Sequence, residues 1–188
     1  MPVAATIWRS SIALDAEPAL QIMANDFPEL LLGALWHTTH LERYMAILKS
    51  GFIVPNPEIP DTERWKTRNG PDTYPYVRHL NGVSIFDFTS FDPICYSNAF
   101  PMSDWRTFVP LRKNWGASVW IEVDIELIEG QYLDPQQLAK LQKAENAERH
   151  TLMPRIEAAV IGRIPLSAFK RTLIRRNGVE TFEPLGKV

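Results

Sequence analysis

The sequence predicts an α+β fold on a strongly bent or split sheet. Apolar alternation marks more strands than helices, and the two follow one another in mixed order instead of a regular β-α-β repeat. No G-x-G-x-x-G and no glycine-rich phosphate loop is present, which removes the standard Rossmann and P-loop readings. The 188 residues most simply form one domain, residues 1–188, large enough to bury a core without staples.

The elements follow in order. Residues 4–12 read as a first strand, best over Ala5-Thr6-Ile7-Trp8. Asp15 caps an N-terminal helical segment running to about Leu32, interrupted near Pro28, whose ring removes a helical donor. Gly33 to Trp36 form a strand that ends in the polar run His37-Thr38-Thr39. Thr39 and Glu42 have the spacing of a capping box and open a helix through Ser50. Leu41, Tyr44, Met45 and Leu48 share one face of that helix. Gly51 suits the left-handed residue after it, and Pro55 prevents its resumption. This arrangement holds His37 at the rim of a packed strand-helix unit.

From Pro55 to Leu80 the chain is rich in Pro, Asp and Arg and has no period, and loops this long are often functional. Residues 83–88 form a strand, and 118–124, with its clean alternation, the surest one. Asp134-Pro135 opens a helix to about Arg149 with Leu138, Leu141 and Ala144 inward. Residues 156–164 form another strand, followed by Pro165-Leu166-Ser167 and a short helix through Leu173. A last strand covers Val179 to Phe182 after the Asn177-Gly178 turn.

Composition excludes several classes. The chain is 45% hydrophobic and 22% charged, as soluble globular proteins are. A net charge of −2 argues against an overall electrostatic grip on nucleic acid and leaves a local basic face open. Cys95, the single cysteine, excludes an internal disulfide and a multi-cysteine metal site, which fits a reducing compartment. No apolar run approaches the roughly 20 residues that span a bilayer, and no basic-then-apolar leader opens the chain. The expectation is a cytoplasmic protein with no membrane contact and no metal.

His37 and His40 are three apart, yet a zinc set would have to recruit distant carboxylates around His79 or His150. Cys95 reads as a buried apolar residue before it reads as a thiol nucleophile. Asp87 and Asp92 flank Thr89-Ser90 as turn formers. Trp65, Trp105, Trp115 and Trp120, near Arg64, Arg106, Arg112 and Lys113, suit stacking on single-stranded nucleic acid, although several must serve as core. Glu157 opens an otherwise apolar strand, where a solvated carboxylate at an edge or cleft can bind a ribose hydroxyl and stabilise an oxocarbenium ion. The plainer reading pairs it with Arg155 or Arg149.

Three pieces together resemble the ADP-ribosyltransferase superfamily. The run Leu35-Trp36-His37-Thr38-Thr39 through Leu48-Lys49-Ser50-Gly51-Phe52 is similar to the opening of DNA-modifying ADP-ribosyltransferase toxins and of RNA 2′-phosphotransferases. Gly82-Val83-Ser84-Ile85-Phe86-Asp87 stands where the family places a middle strand bearing a tyrosine or serine. Ile156-Glu157-Ala158-Ala159-Val160, leading to Pro165-Leu166-Ser167, stands for its glutamate strand. These pieces span roughly residues 33 to 172.

The resemblance implies a split β-sandwich whose cleft binds NAD. His37 would hold the adenosine side, Ser84 or Phe86 the nicotinamide side, Thr38 and Thr39 would also contact NAD, and Glu157 would be catalytic. The acceptor would be nucleic acid, protein or a small molecule. Two departures narrow it: the middle strand lacks a tyrosine, and Ala159 stands where arginine-specific members have a second glutamate. Arg43, Arg64, Arg68, Arg78 and Arg149 are candidates to hold a 2′-phosphate, as the phosphotransferase branch needs, or, where near the cleft, to grip the pyrophosphate of NAD. The stretch 55–80 is the candidate lid or acceptor-selecting loop. Two rival readings share the scaffold, an NAD-using RNA 2′-phosphotransferase and a catalytically silent binding domain.

Overall fold

A computed structural model describes residues 27–64, 66–67, 69–103 and 116–186. The expected strand at 4–12, most of the helical segment from Asp15, and Trp65, Arg68, Trp105, Arg106, Arg112, Lys113 and Trp115 lie outside the described residues. In chain order the elements are β1 (Leu35–His40), α1 (Leu41–Ser50), β2 (Phe52–Ile53), α2 (Tyr76–His79), β3 (Gly82–Asp87) and α3 (Pro93–Ala99). There follow β4 (Ala117–Val123), β5 (Gln131–Leu133), α4 (Pro135–Ala144), β6 (Glu157–Ile161), β7 (Ile164–Pro165), β8 (Phe169–Arg176) and β9 (Glu183–Pro184).

Seven strands form one sheet in the order β5-β6-β3-β1-β4-β8-β9, antiparallel at every junction, and β2 pairs with β7 in a separate ribbon. The fold is thus mixed α and β on an antiparallel sheet. No helix among the described residues is long and apolar enough to cross a membrane.

The sheet is buried on both faces. Leu35, Val83, Ile85, Val119, Ile121 and Val160 pack on one side. Trp36, Phe86, Trp120, Ile156 and Leu173 pack on the other, where the Phe86 ring stacks on Trp120 with centroids 5.7 Å apart. Central β4 is covered on both sides, so its alternation separates two cores instead of core from solvent. The α4 helix docks Leu138 against Tyr76, Val77 and Ala159.

Several elements differ from expectation. Residues 38–40 stay in β1, because Thr38 and Thr39, β-branched and suited to a pleated surface, complete the pairing with β4. Helix α1 therefore starts at Leu41, His40 is its N-cap without a side-chain bond, and the Thr39–Glu42 capping box does not form. Its buried side is Tyr44 with Ile47 and Leu48, while Leu41 and Met45 are exposed. Gly51 does take the left-handed conformation, φ 83°. Helix α4 has a capping box at Asp134 and Gln137 but stops at Ala144, which is exposed, as left-handed Asn146 turns the chain. The expected helix after Ser167 is a single 3-10 turn, Leu166–Ala168, and the chain then runs on as β8 along the whole of β4. The strand after the Asn177-Gly178 turn is Glu183–Pro184, later than expected. Cys95 is exposed on α3, not buried.

Gly130 lies against the backbone of β6, where an added Cβ would run into the Ile161 carbonyl. Gly130→Ala is expected to destabilise the fold by about 1–3 kcal/mol, read as a lower urea midpoint. An unchanged midpoint would show that the β5 approach is loose.

Candidate active site

Strands β1 and β3 are paired only at Leu35–Asp87 and Trp36–Phe86. Beyond Trp36, β1 continues along β4 to the His40–Ser118 pair, while β3 continues along β6 to Gly82–Ile161. The two strands therefore part within the sheet, and a cavity of about 470 Å³ opens at the parting. All six residues expected at a site, His37, Thr38, Thr39, Ser84, Phe86 and Glu157, line it.

Register explains the convergence. Phe86 is directly opposite Glu157, and Ser84 opposite Ala159, so Ser84, Phe86 and Glu157 share one face of the β3–β6 ladder. The Ser84 hydroxyl donates to Glu157 Oε1 at 3.0 Å, and the Met153 amide donates to Oε2 at 2.8 Å. From the other lip, His37 Nδ1 lies 3.0 Å from the Ser84 carbonyl oxygen. A carbonyl only accepts, so Nδ1 carries the proton and Nε2 is left as an acceptor on a neutral ring. Burial, partly offset by that bond, lowers the pKa of His37. The chain thus links β1, β3 and β6 through one serine.

Glu157 is only 3% exposed, which corrects the expected solvated carboxylate. It forms no ion pair with Arg155 or Arg149 among the described residues; its partners are Met153 and Ser84. Burial raises its pKa to about 7, although both hydrogen bonds pull the other way. Phe86 is 5% exposed and wedged in the aromatic core with only part of its surface on the cavity. Thr38 Oγ1 is buried and has no hydrogen-bond partner among the described residues.

The cavity has a basic wall. Arg43 comes from α1, Arg64 and Arg78 from the 55–80 stretch. Arg43 pairs with Glu63, Arg78 with Asp61 at 2.8 Å, and Arg64 binds the Ile59 and Pro57 carbonyl oxygens. The pKa of Arg64 is lowered by burial first, then by the positive charges of Arg78 and Arg43 nearby. Arg149 does not line the cavity, and Arg68 lies outside the described residues.

The described residues of the 55–80 stretch, the candidate lid, are tied to one another and to the segment leading into β6. Tyr74 donates to Asp61, and the Arg78 guanidinium lies 3.9 Å over the Tyr74 ring. Tyr76 N donates to Thr151 O at 2.8 Å, and Thr151 N to Tyr74 O at 3.3 Å, which stitches this stretch to the segment leading into β6. The His79 and His150 rings lie beside that stitch with centroids 4.3 Å apart, tilted by 33°. Among the described residues no group of three or more His, Cys, Asp or Glu could hold a metal ion, and His40 accepts from Arg43 Nε at 3.2 Å.

Two contributors had no signature in the sequence. The Met153 amide is a backbone donor, invisible in residue identity. The apolar wall from Phe52, Ile53 and Val77 reads as ordinary core until the cavity is seen. No family model, curated protein or solved structure matches this chain.

Proposed function

We propose that this protein is an NAD-dependent ADP-ribosyltransferase acting on a nucleic-acid or protein acceptor. The observation that carries the reading is the link His37–Ser84–Glu157, made across the parting of two strands at the edge of one cavity. The resemblance implies a split β-sandwich with a histidine and a glutamate at its NAD cleft, and a sheet that parts between His37 and Glu157 supports that reading. The cavity's chemistry fits NAD. The neutral His37 Nε2 can accept from a ribose hydroxyl, the Thr38 hydroxyl, which has no partner among the described residues, can bond a hydroxyl or carboxamide, and the three arginines suit a pyrophosphate.

In the reaction the glycosidic C–N bond breaks and its electron pair leaves with nicotinamide, which becomes neutral. The ribosyl cation is captured by an acceptor atom that gives up a proton. Ionised Glu157 would stabilise that cation from a site already organised by two donors. Half-ionisation near pH 7 puts the rise of turnover with pH in the neutral range. Ser84 is committed to the carboxylate, so the nicotinamide-side role falls to Phe86's exposed edge and Thr38.

The arginine wall favours one second reading, an RNA 2′-phosphotransferase, since guanidiniums are good phosphate forks. Adenylate-labelled NAD added to lysate, with protein, DNA and RNA fractions counted, separates the two. Label in one fraction supports transfer, whereas nicotinamide release that requires a 2′-phosphorylated RNA supports phosphotransfer. No NAD affinity would leave a silent binding scaffold. His37→Ala is expected to weaken NAD binding roughly tenfold, the worth of one hydrogen bond, in a calorimetric titration. An unchanged dissociation constant would remove His37 from the site.

A further inference from the structure

The turn ahead of β6 is closed twice. The Glu157 amide donates to the Met153 carbonyl oxygen at 3.1 Å, and the Met153 amide donates back to Glu157 Oε2 at 2.8 Å. A glutamate side chain and its own backbone thus clamp the same residue four positions upstream. The geometry demands a left-handed residue inside the turn, and Arg155 supplies it with φ 60°. Arginine is strained there and glycine would not be. The Arg155 guanidinium lies 5.3 Å over the Phe100 ring, at the end of α3, which ties the turn to a neighbouring helix. Such a conformation persists where surrounding contacts over-determine it, and this one is two residues from the only carboxylate in the cavity's described lining.

We propose that Arg155 is a positioning residue whose left-handed backbone sets the Met153–Glu157 clamp and so fixes where the Glu157 carboxylate points. The proposal rests on the reading of Glu157 as the working carboxylate, but the clamp is observable without any substrate. One oxygen is held from β3 by Ser84 and the other by the turn, so rotation of the carboxylate is blocked from both sides. Loss of the turn's donor would free Oε2 and leave a buried charge with one partner instead of two. The ionisable group facing this carboxylate from α3 is Tyr96, whose pKa of about 12 is raised by burial first and then by Glu157.

The test is a carbon-13 NMR titration of the Glu157 side chain in the full chain, assigned by its loss in Glu157→Gln. Arg155→Gly and Arg155→Val both remove the guanidinium charge, so their difference reports the backbone alone. Arg155→Gly keeps a wild-type-like midpoint, and Arg155→Val, which resists a left-handed φ, raises it by about one pH unit. If the valine variant does not fold, Arg155→Ala takes its place and is compared with Arg155→Gly in the same way. Coincident midpoints for the folded variants would overturn the proposal. Nicotinamide release is measured alongside. A shifted midpoint in a protein that never consumes NAD upholds the clamp and sinks the transferase reading. Activity with unshifted midpoints does the reverse.

Discussion

Turnover is expected to fall by about 10²–10³-fold in Glu157→Gln, while the same variant becomes more stable than the wild type above neutral pH. The stability half follows from linkage. The folded-state pKa of Glu157 is raised to about 7 from 4.5, so the folded protein holds its proton longer than the unfolded chain does. Between those values the folded state binds more protons, and stability falls as pH rises, reaching its floor above pH 7. The ionised carboxylate then costs about 3 kcal/mol relative to a neutral side chain. Glutamine has nearly the same shape and no charge. It can accept from Met153 with its oxygen and donate to Ser84 with its nitrogen. Urea midpoints at pH 5 and pH 8.5 check this: the gap between variant and wild type is small at the first and large at the second. A gap that does not grow with pH would mean the carboxylate is solvated. Activity equal to the wild type would remove Glu157 from catalysis, whatever the stability did.

Trp36→Ala is expected to lose about 3–5 kcal/mol of stability. Trp36 is fully buried, donates from Nε1 to the Leu31 carbonyl oxygen at 2.8 Å and meets Trp120 edge-on with centroids 6.5 Å apart. The Arg171 guanidinium lies 5.0 Å from its ring. Truncation leaves a void, orphans that carbonyl and removes the packing under the last pair that joins β1 to β3. Thermal unfolding gives the size of the loss. Trp36→Phe refills most of the volume without the donor, and recovery of more than half the loss would assign the effect to packing. A loss below about 1 kcal/mol in Trp36→Ala would show that the seam is held elsewhere.

The site was more legible in the sequence than the elements around it. His37 opens the polar end of one strand, while Ser84 and Glu157 are polar residues in two otherwise mostly apolar strands, and such breaks stand out in the chain itself. Boundaries were less legible where tertiary pairing overrode a local signal. Thr39 has the spacing of a cap, yet its backbone is paired with Val119 in the β1–β4 ladder, so the helix starts two residues later. Residues 169–176 carry four basic side chains in an unremarkable pattern and become a strand because β4 offers an unpaired edge. Three of those charges are neutralised by Asp124, Glu122 and Glu183, facts of register that no local window contains. The depth of Glu157 was equally hidden, since an isolated glutamate reads as solvated until its neighbours are placed.

The narrow join between β1 and β3 has a mechanical consequence. With two residue pairs at the seam, the sheet divides into two parts, β5-β6-β3 and β1-β4-β8-β9, whose backbones are joined along one short line. His37 rides on one part, Ser84 and Glu157 on the other. Any molecule that touches both is a splint across the crack, and the stiffness it adds is concentrated in the amides of Val83 to Phe86 and His37 to His40. The strength of its grip could then be followed as the slowing of hydrogen exchange along those two lips, with no need to know what the molecule is.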